Sequence, residues 1–126
     1  MSNVELLKRF FALFGSGDKQ GYLQLCDDEI VGHALEGMSS GGRYVGKEAA
    51  FGGYFPNMLV NFSEFHADPA EYIDAGSSVV VLGKYSGRSR AGREFEAPFA
   101  HVYTFRDDRI ATFRQYTDTA KIRQAL

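Results

Sequence analysis

The feature that most constrains the fold is the alternation across residues 94–105. There Phe95, Ala97, Phe99, His101, Tyr103 and Phe105 fall on every second position. Side chains two apart on a strand share a face, so this segment builds one side of a sheet. The segments around it are punctuated in the same way. Residues 61–73 alternate imperfectly, and Asp68-Pro69 marks a bulge or bend because proline cannot donate to a ladder. Asp74-Ala75-Gly76 makes a turn. Residues 78–88 carry Val79, Val80, Val81 and Leu82, a run suited to burial on both faces. After a polar loop at 89–93 and the strand at 94–105, Asp107-Asp108 turns the chain and residues 109–118 return. Such a series of long antiparallel strands twists and, where bulged, curls.

The first half reads differently. Ser2 and Asn3 are cap residues ahead of a helix that runs to about Phe14. Val4, Leu7, Phe11 and Phe14 repeat on one stripe, which Leu6, Phe10 and Leu13 widen, while Lys8 and Arg9 take the far side. Gly15-Ser16-Gly17 ends the helix, and Asp18 caps a short second one carrying Tyr22, Leu23 and Leu25. Residues 29–34 read as a short strand and residues 36–42 as a Gly/Ser-rich loop. A third helix over 46–55 brings Phe51, Tyr54, Phe55 and Met58 near one face. Gly52 and Gly53 weaken it, and Pro56 stops or kinks it. A short amphipathic helix closes the chain at 119–126. Helices segregated from strands predict the α+β class. The expected architecture is a cone-shaped, curved antiparallel (mixed) sheet with the three helices of the N-terminal half over its open end. The inside of such a cone is a cavity lined from several strands.

Composition narrows the partners. A chain of 126 residues fits a single domain spanning 1–126. Eleven Phe and seven Tyr, with no Trp, supply an aromatic lining. The net charge is −2 and the Lys and Arg are dispersed, which argues against nucleic acid. The single Cys26 excludes an intramolecular disulfide and a thiolate metal site. His33, His66 and His101 are scattered and lack clustered carboxylates, so neither metal nor cofactor is expected. No signal-peptide pattern and no apolar run of membrane-spanning length is seen, so the expected location is cytoplasmic, away from membranes.

Several stretches carry a family resemblance. They are Ala97-Pro98-Phe99-Ala100-His101-Val102-Tyr103-Thr104-Phe105, Arg109-Ile110 and Phe113-Arg114-Gln115-Tyr116-Thr117-Asp118-Thr119. Earlier come Arg9-Phe10-Phe11, Gly17-Asp18, Cys26-Asp27-Asp28 and Tyr44-Val45-Gly46-Lys47-Glu48-Ala49. Together they resemble the nuclear transport factor 2-like superfamily, in its SnoaL-like, ketosteroid-isomerase-related branch. The resemblance covers nearly the whole chain and implies a cystatin-like α+β roll with an apolar small-molecule pocket. It implies no single activity, because this fold hosts enzymes, binding modules and localisation domains. Steroid isomerases of the fold use an aspartate base on the first strand, a tyrosine on the first helix and a protonated aspartic acid after the Ala-Pro motif. The matching positions here are His33, Phe10 and Ala100, so that mechanism is not expected. Limonene-epoxide-hydrolase-like members end in a similar aromatic-Arg-x-Tyr-x-Asp stretch whose aspartate matches Asp118. Their Arg and second Asp fall at Leu82 and Lys84. SnoaL-like cyclases also use a late acid/base aspartate, matching Asp118 in kind.

These comparisons set the candidates. Asp118 against aromatic walls would have a raised pKa suited to acid/base work, or it caps the final helix. His33 falls where relatives place a base or water-positioning group, and His titrates in the useful range. Counting back from the Asp107-Asp108 turn pairs His101 with Arg114, Phe99 with Tyr116 and Ala97 with Asp118. This puts His101, Arg114, Tyr116 and Asp118 on one face, and Pro98, Ala100, Val102, Phe113, Gln115 and Thr117 on the other. The isomerase comparison makes the second face the pocket, whereas the hydrolase comparison turns Asp118 inward. A bulge near the strand end would reconcile them. The catalytic candidates are therefore Asp118, His33, Tyr116 and His101, and the ligand-binding candidates are Phe10, Phe14, Tyr54, Met58, Ala100, Val102 and Phe113.

Three functions fit. One is an acid/base isomerase, cyclase or hydrolase acting on a hydrophobic carbonyl or polyketide-like compound, with Asp118 assisted by His33 or Tyr116. The second is a non-catalytic module holding a hydrophobic small molecule. The third is an interaction domain that forms a homodimer through the outer sheet face, using Phe95, Phe99 and Tyr103.

Overall fold

In the computed structural model, which describes residues 1–38 and 40–126, the caps fall where the sequence puts them. Helix α1 (Asn3–Gly15) begins at Ser2, whose hydroxyl accepts from the Glu5 N–H while the Glu5 carboxylate accepts from the Ser2 N–H. This capping box pairs two backbone donors that the helix itself leaves open. Helix α2 (Lys19–Leu23) begins at Asp18, which accepts from the Gly21 N–H at 2.9 Å.

The strands are β1 (Cys26–Ala34), β2 (Gly42–Val45), β3 (Phe62–Asp74), β4 (Ser78–Ser89), β5 (Glu94–Arg106) and β6 (Arg109–Thr117). They form one sheet in the order β2-β1-β6-β5-β4-β3. Every pair is antiparallel except β1 with β6, so the sheet is mixed. Strand β2 departs from expectation: the Gly/Ser-rich stretch reads as loop, yet Gly42 already pairs with Ala34. Ser39 of that loop lies outside the described residues. Strand β1 also begins earlier than the alternation suggests, at Cys26.

The third helix is composite. A π-helical turn, Glu48–Tyr54, runs into α3 (Phe55–Leu59). Pro56 does not stop the chain here, because it lies in the first turn of α3, where a missing N–H forfeits no bond. Helix α4 (Thr119–Ala125) follows β6. No helix among the described residues is long and apolar enough to cross a membrane.

The helices cover the concave face of the sheet. Leu6, Leu7 and Phe10 of α1, Tyr22 of α2 and Phe51, Tyr54 and Met58 of the third helical segment bury against Ile30, Val79, Val81, Tyr85, Phe99 and Tyr103. Each fully buried side chain of this size contributes about 1.5–3 kcal/mol. Val79 and Val81 are sealed while Val80 and Leu82 are only half-buried, so the valine run is covered on one face rather than two.

Bulges set the geometry. The register shifts between Pro69 and Glu71, as the Asp68-Pro69 pair predicts. A second shift has the parity-switching effect expected of a bulge near the end of the last strand, but lies by the turn instead. Asp107 and Asp108, both with positive φ, make the tight hairpin turn, and Arg106 and Phe105 pair with Arg109 and Ile110. Thr104 then pairs with Thr112, which leaves Ala111 as an extra residue. Slipping by one exchanges the two faces for the rest of the strand. His101 therefore lies opposite Gln115, Tyr103 opposite Phe113 and Ala100 opposite Tyr116.

Candidate functional site

The concave face and the helices enclose a cavity. Phe10, Phe11 and Phe14 of α1 form one wall, and Phe51, Phe55, Met58 and Leu59 form another. Ile30, Phe65, Ala67, Ile110 and Phe113 line the sheet side. Glycine makes part of this packing possible. A Cβ on Gly32 would meet the Phe113 ring at 2.6 Å, and one on Gly83 would meet the Phe99 ring at 2.6 Å. Both rings can thus lie flat against a neighbouring strand. The space open to the centre of a water-sized sphere is about 50 Å³, within about 620 Å³ that includes the gaps between wall atoms and the mouth. The cavity is open to solvent, so the larger figure is an upper bound on the room it offers a ligand.

Four lining side chains carry polar atoms: Tyr85, His101, Tyr103 and Gln115. They are joined. The Gln115 amide donates to the Tyr85 hydroxyl at 2.9 Å. That hydroxyl lies 2.5 Å from His101 Nε2, and His101 Nδ1 lies 2.9 Å from the Tyr103 hydroxyl. Behind them the Tyr54 hydroxyl donates to Gln115 Oε1 at 3.4 Å, with the amide NH₂ toward Tyr85. The imidazole stacks on Phe99 with centroids 4.3 Å apart.

Burial decides the charge state of this chain. It drives His101 down to about 3, so the ring is neutral near pH 7. Burial raises Tyr103 and Tyr85, although the Gln115 hydrogen bond pulls Tyr85 back in part. Tyr54 is raised to about 12 by burial, against the pull of Gln115. Proton accounting then has one outcome. Three hydroxyl hydrogens and one imidazole hydrogen, with the Gln115 amide, supply the four bonds and leave one hydroxyl hydrogen over. If Nδ1 carries the ring proton, Tyr103 keeps the spare O–H; if Nε2 carries it, Tyr85 does. Either way one hydroxyl donor is left unspent, beside the second N–H of the Gln115 amide.

The sequence candidates divide. Phe10, Phe14, Met58, Phe113 and His101 line the cavity, and Tyr54 sits behind Gln115. Ala100 and Val102 do not line it. They are half-buried on the convex face, between cavity-facing Phe99, His101 and Tyr103, while the Ala111 bulge reverses β6 and brings Phe113 and Gln115 to the cavity side. The same reversal turns Tyr116 outward, where it is 43 % exposed. Phe95, Phe99 and Tyr103, expected on an outer contact face, are buried inside. Asp118 caps α4, its carboxylate accepting from the Lys121 N–H at 3.2 Å, and is exposed. His33 shares the convex face, in register with Arg43 and Arg114. His66 is exposed beside Glu64, at 2.8 Å. Tyr85, Tyr103 and Gln115 were missed as site residues. The signal was the apolar pair Ile110-Ala111, which breaks the alternation of β6 where the bulge occurs. Cys26 is buried and its thiol is pushed up to about 12 by burial, so it is held as the neutral thiol. No group of three or more His, Cys, Asp or Glu among the described residues is placed to hold a metal.

A curved mixed sheet closed by helices over an aromatic cavity is the architecture of the nuclear transport factor 2-like proteins. Solved structures of that class superpose on nearly the whole chain. An NTF2-like protein of unknown function from Burkholderia pseudomallei is 26 % identical, with TM-score 0.91, covering 99 % of this chain and 98 % of its own. TerC, co-crystallised with polyporic acid, is 25 % identical, with TM-score 0.89 and coverage of 98 % and 96 %. An NTF2-like protein from Burkholderia xenovorans is 28 % identical, with TM-score 0.83 and coverage of 98 % and 94 %. No curated protein matches the sequence significantly. The SnoaL-like domain model matches residues 7–113, and the chain belongs to that family.

Proposed function

We propose that the chain binds a flat, apolar small molecule in this cavity and hydrogen-bonds one of its oxygens through the Tyr85–His101–Tyr103 chain. The observation that carries this reading is the single spare hydroxyl donor set in an otherwise aromatic lining. A buried donor without a partner costs about 1–3 kcal/mol, so a ligand acceptor is favoured there over hydrocarbon alone. TerC, of the same fold, was co-crystallised with polyporic acid, which supports a small organic molecule as the ligand class. Because Asp118 is exposed and spent on a helix cap, no acid/base role is assigned to it.

The test compares 2-acetylnaphthalene with 2-ethylnaphthalene, which share an outline but differ in one carbonyl. Binding is followed by tyrosine fluorescence, which no tryptophan obscures. The ketone is expected to bind about tenfold more tightly, the worth of one neutral hydrogen bond. Equal affinity, or no binding of either, would sink the reading.

The convex face supports a second, compatible proposal, a homodimer. Half-buried Val80, Leu82, Ala100 and Val102 adjoin Ile73, 41 % exposed, and Tyr116 on one surface. Exposed apolar patches mark contact sites, and two-fold dimers are the commonest assembly of identical chains. Sedimentation of the wild type against Leu82→Lys checks it, with a shift from dimer to monomer expected.

A further inference from the structure

We infer that the Tyr85–His101–Tyr103 chain is a proton relay with both ends in the cavity, and that its substrate class is tautomerisable hydroxy-carbonyl and 1,3-dicarbonyl compounds. The inference rests on the binding reading above and adds a reaction to it.

The geometry supplies a path and two termini. Tyr85 and Tyr103 both line the cavity, and His101 joins them through its two nitrogens. Take the state with the ring proton on Nδ1. Tyr103 passes its hydroxyl proton to a ligand carbonyl oxygen. The Nδ1 proton moves to the Tyr103 oxygen, and the Tyr85 proton moves to Nε2. Tyr85 is refilled by a proton from a second ligand atom, the acidic carbon or hydroxyl of the same molecule. One proton has entered at Tyr85 and one has left at Tyr103. The ligand keeps its composition and becomes its tautomer, with no electron transferred and no co-reactant consumed. The protein ends as the other imidazole tautomer. A shift in the opposite sense, on a substrate bound the other way round, returns it.

The surroundings favour this concerted route over a lone base. No charged side chain lines the cavity among the described residues. A single base there would create a separated ion pair in an apolar space, which is costly. A relay that gains one proton as it gives up another passes through no such pair. Gln115 is a positioning residue: by donating to the Tyr85 oxygen it turns the Tyr85 hydrogen toward Nε2. Phe99 and Gly83 hold the imidazole plane, since the Phe99 ring stacks on His101 and fills the space that a Gly83 side chain would need.

The experiment uses benzoylacetone, an aromatic 1,3-dicarbonyl whose enol and keto forms absorb differently. The enol, added from an apolar solvent, relaxes toward the keto form in buffer. Binding is measured separately by equilibrium dialysis. Wild-type protein is expected to accelerate relaxation about 10²-fold, the lower end of general acid–base catalysis. His101→Gln offers each tyrosine a hydrogen-bonding partner but passes no proton through. It is expected to bind within about threefold of wild type and relax the probe at the buffer rate. Should that variant not fold, Tyr103→Phe, which blocks one terminus, is expected to lose the acceleration. Wild type that binds without accelerating overturns the relay and leaves the binding reading standing, as does undiminished acceleration in His101→Gln. Absence of binding overturns both.

Discussion

Along β5 and β6, neighbouring residues meet opposite surroundings. His101 and Gln115 are 8 % and 5 % exposed, locked in a hydrogen-bonded chain among phenylalanines. One position away, Ala100, Val102, Arg114 and Tyr116 stand on a partly solvated face whose guanidinium has no ion-pair partner among the described residues. The same backbone serves both sides. What separates them is parity alone, and parity on β6 is set by one bulged residue. A polar group is therefore worth little on the convex side and much on the concave side.

Inserting one residue between Thr112 and Phe113 is the severest way to break that comparison, because it slips everything beyond the bulge by one position. It would turn Arg114 and Tyr116 into the cavity and Gln115 out, at a cost exceeding the ~5–15 kcal/mol that holds a domain of this size together. Circular dichroism should show no folded protein. Tyr85→Phe comes next. It strips the Gln115 amide and His101 Nε2 of their shared partner and should cost about 2–3 kcal/mol in urea denaturation.

Acid gives a graded test of the concave side. Folded His101 titrates at about 3, below the usual value of 6.5. Between those values the unfolded chain binds the extra proton, so stability is lost as pH falls through this window. The loss from pH 7 to 5 should be about 2 kcal/mol, and it should vanish in His101→Gln. On the exposed side effects are smaller. Asp118→Ala should cost about 1 kcal/mol as a lost helix cap, while Asp118→Asn should cost a few tenths, since Asn caps about as well. A much larger loss in Asp118→Asn would mean the carboxylate does more than cap. Arg114→Gln should change thermal stability by no more than about 0.5 kcal/mol.

Much of the architecture is legible in the residues. Ser2 with Glu5, Asp18, the Asp68-Pro69 bend and the Asp107-Asp108 turn each announce a local geometry that short-range chemistry enforces. Strand β2 is not legible, because Gly42–Val45 pairs through the backbone and carries no strong alternation of its own. The site divides along the same line. Phe10, Phe14, Met58 and Phe113 follow from apolar stripes, which tolerate an error of one residue at a broad wall. The faces of Ala100, His101, Tyr116 and Asp118 tolerate no such error. On β6 they hang on Ala111, which leaves only the weak signal of an apolar pair with Ile110.

The parallel pairing of β1 with β6 has a consequence for how the molecule comes into being. It joins His33 to Arg114 across most of the chain, and β6 fills the centre of the sheet between β1 and β5. A chain emerging from the ribosome carries β1 with one edge open until residue 110 has passed. Its aromatic interior lacks a floor until then. Such an edge invites wrong partners, and closing so long a loop slows the search. The nascent protein should thus be at its most vulnerable just before β6 slots home.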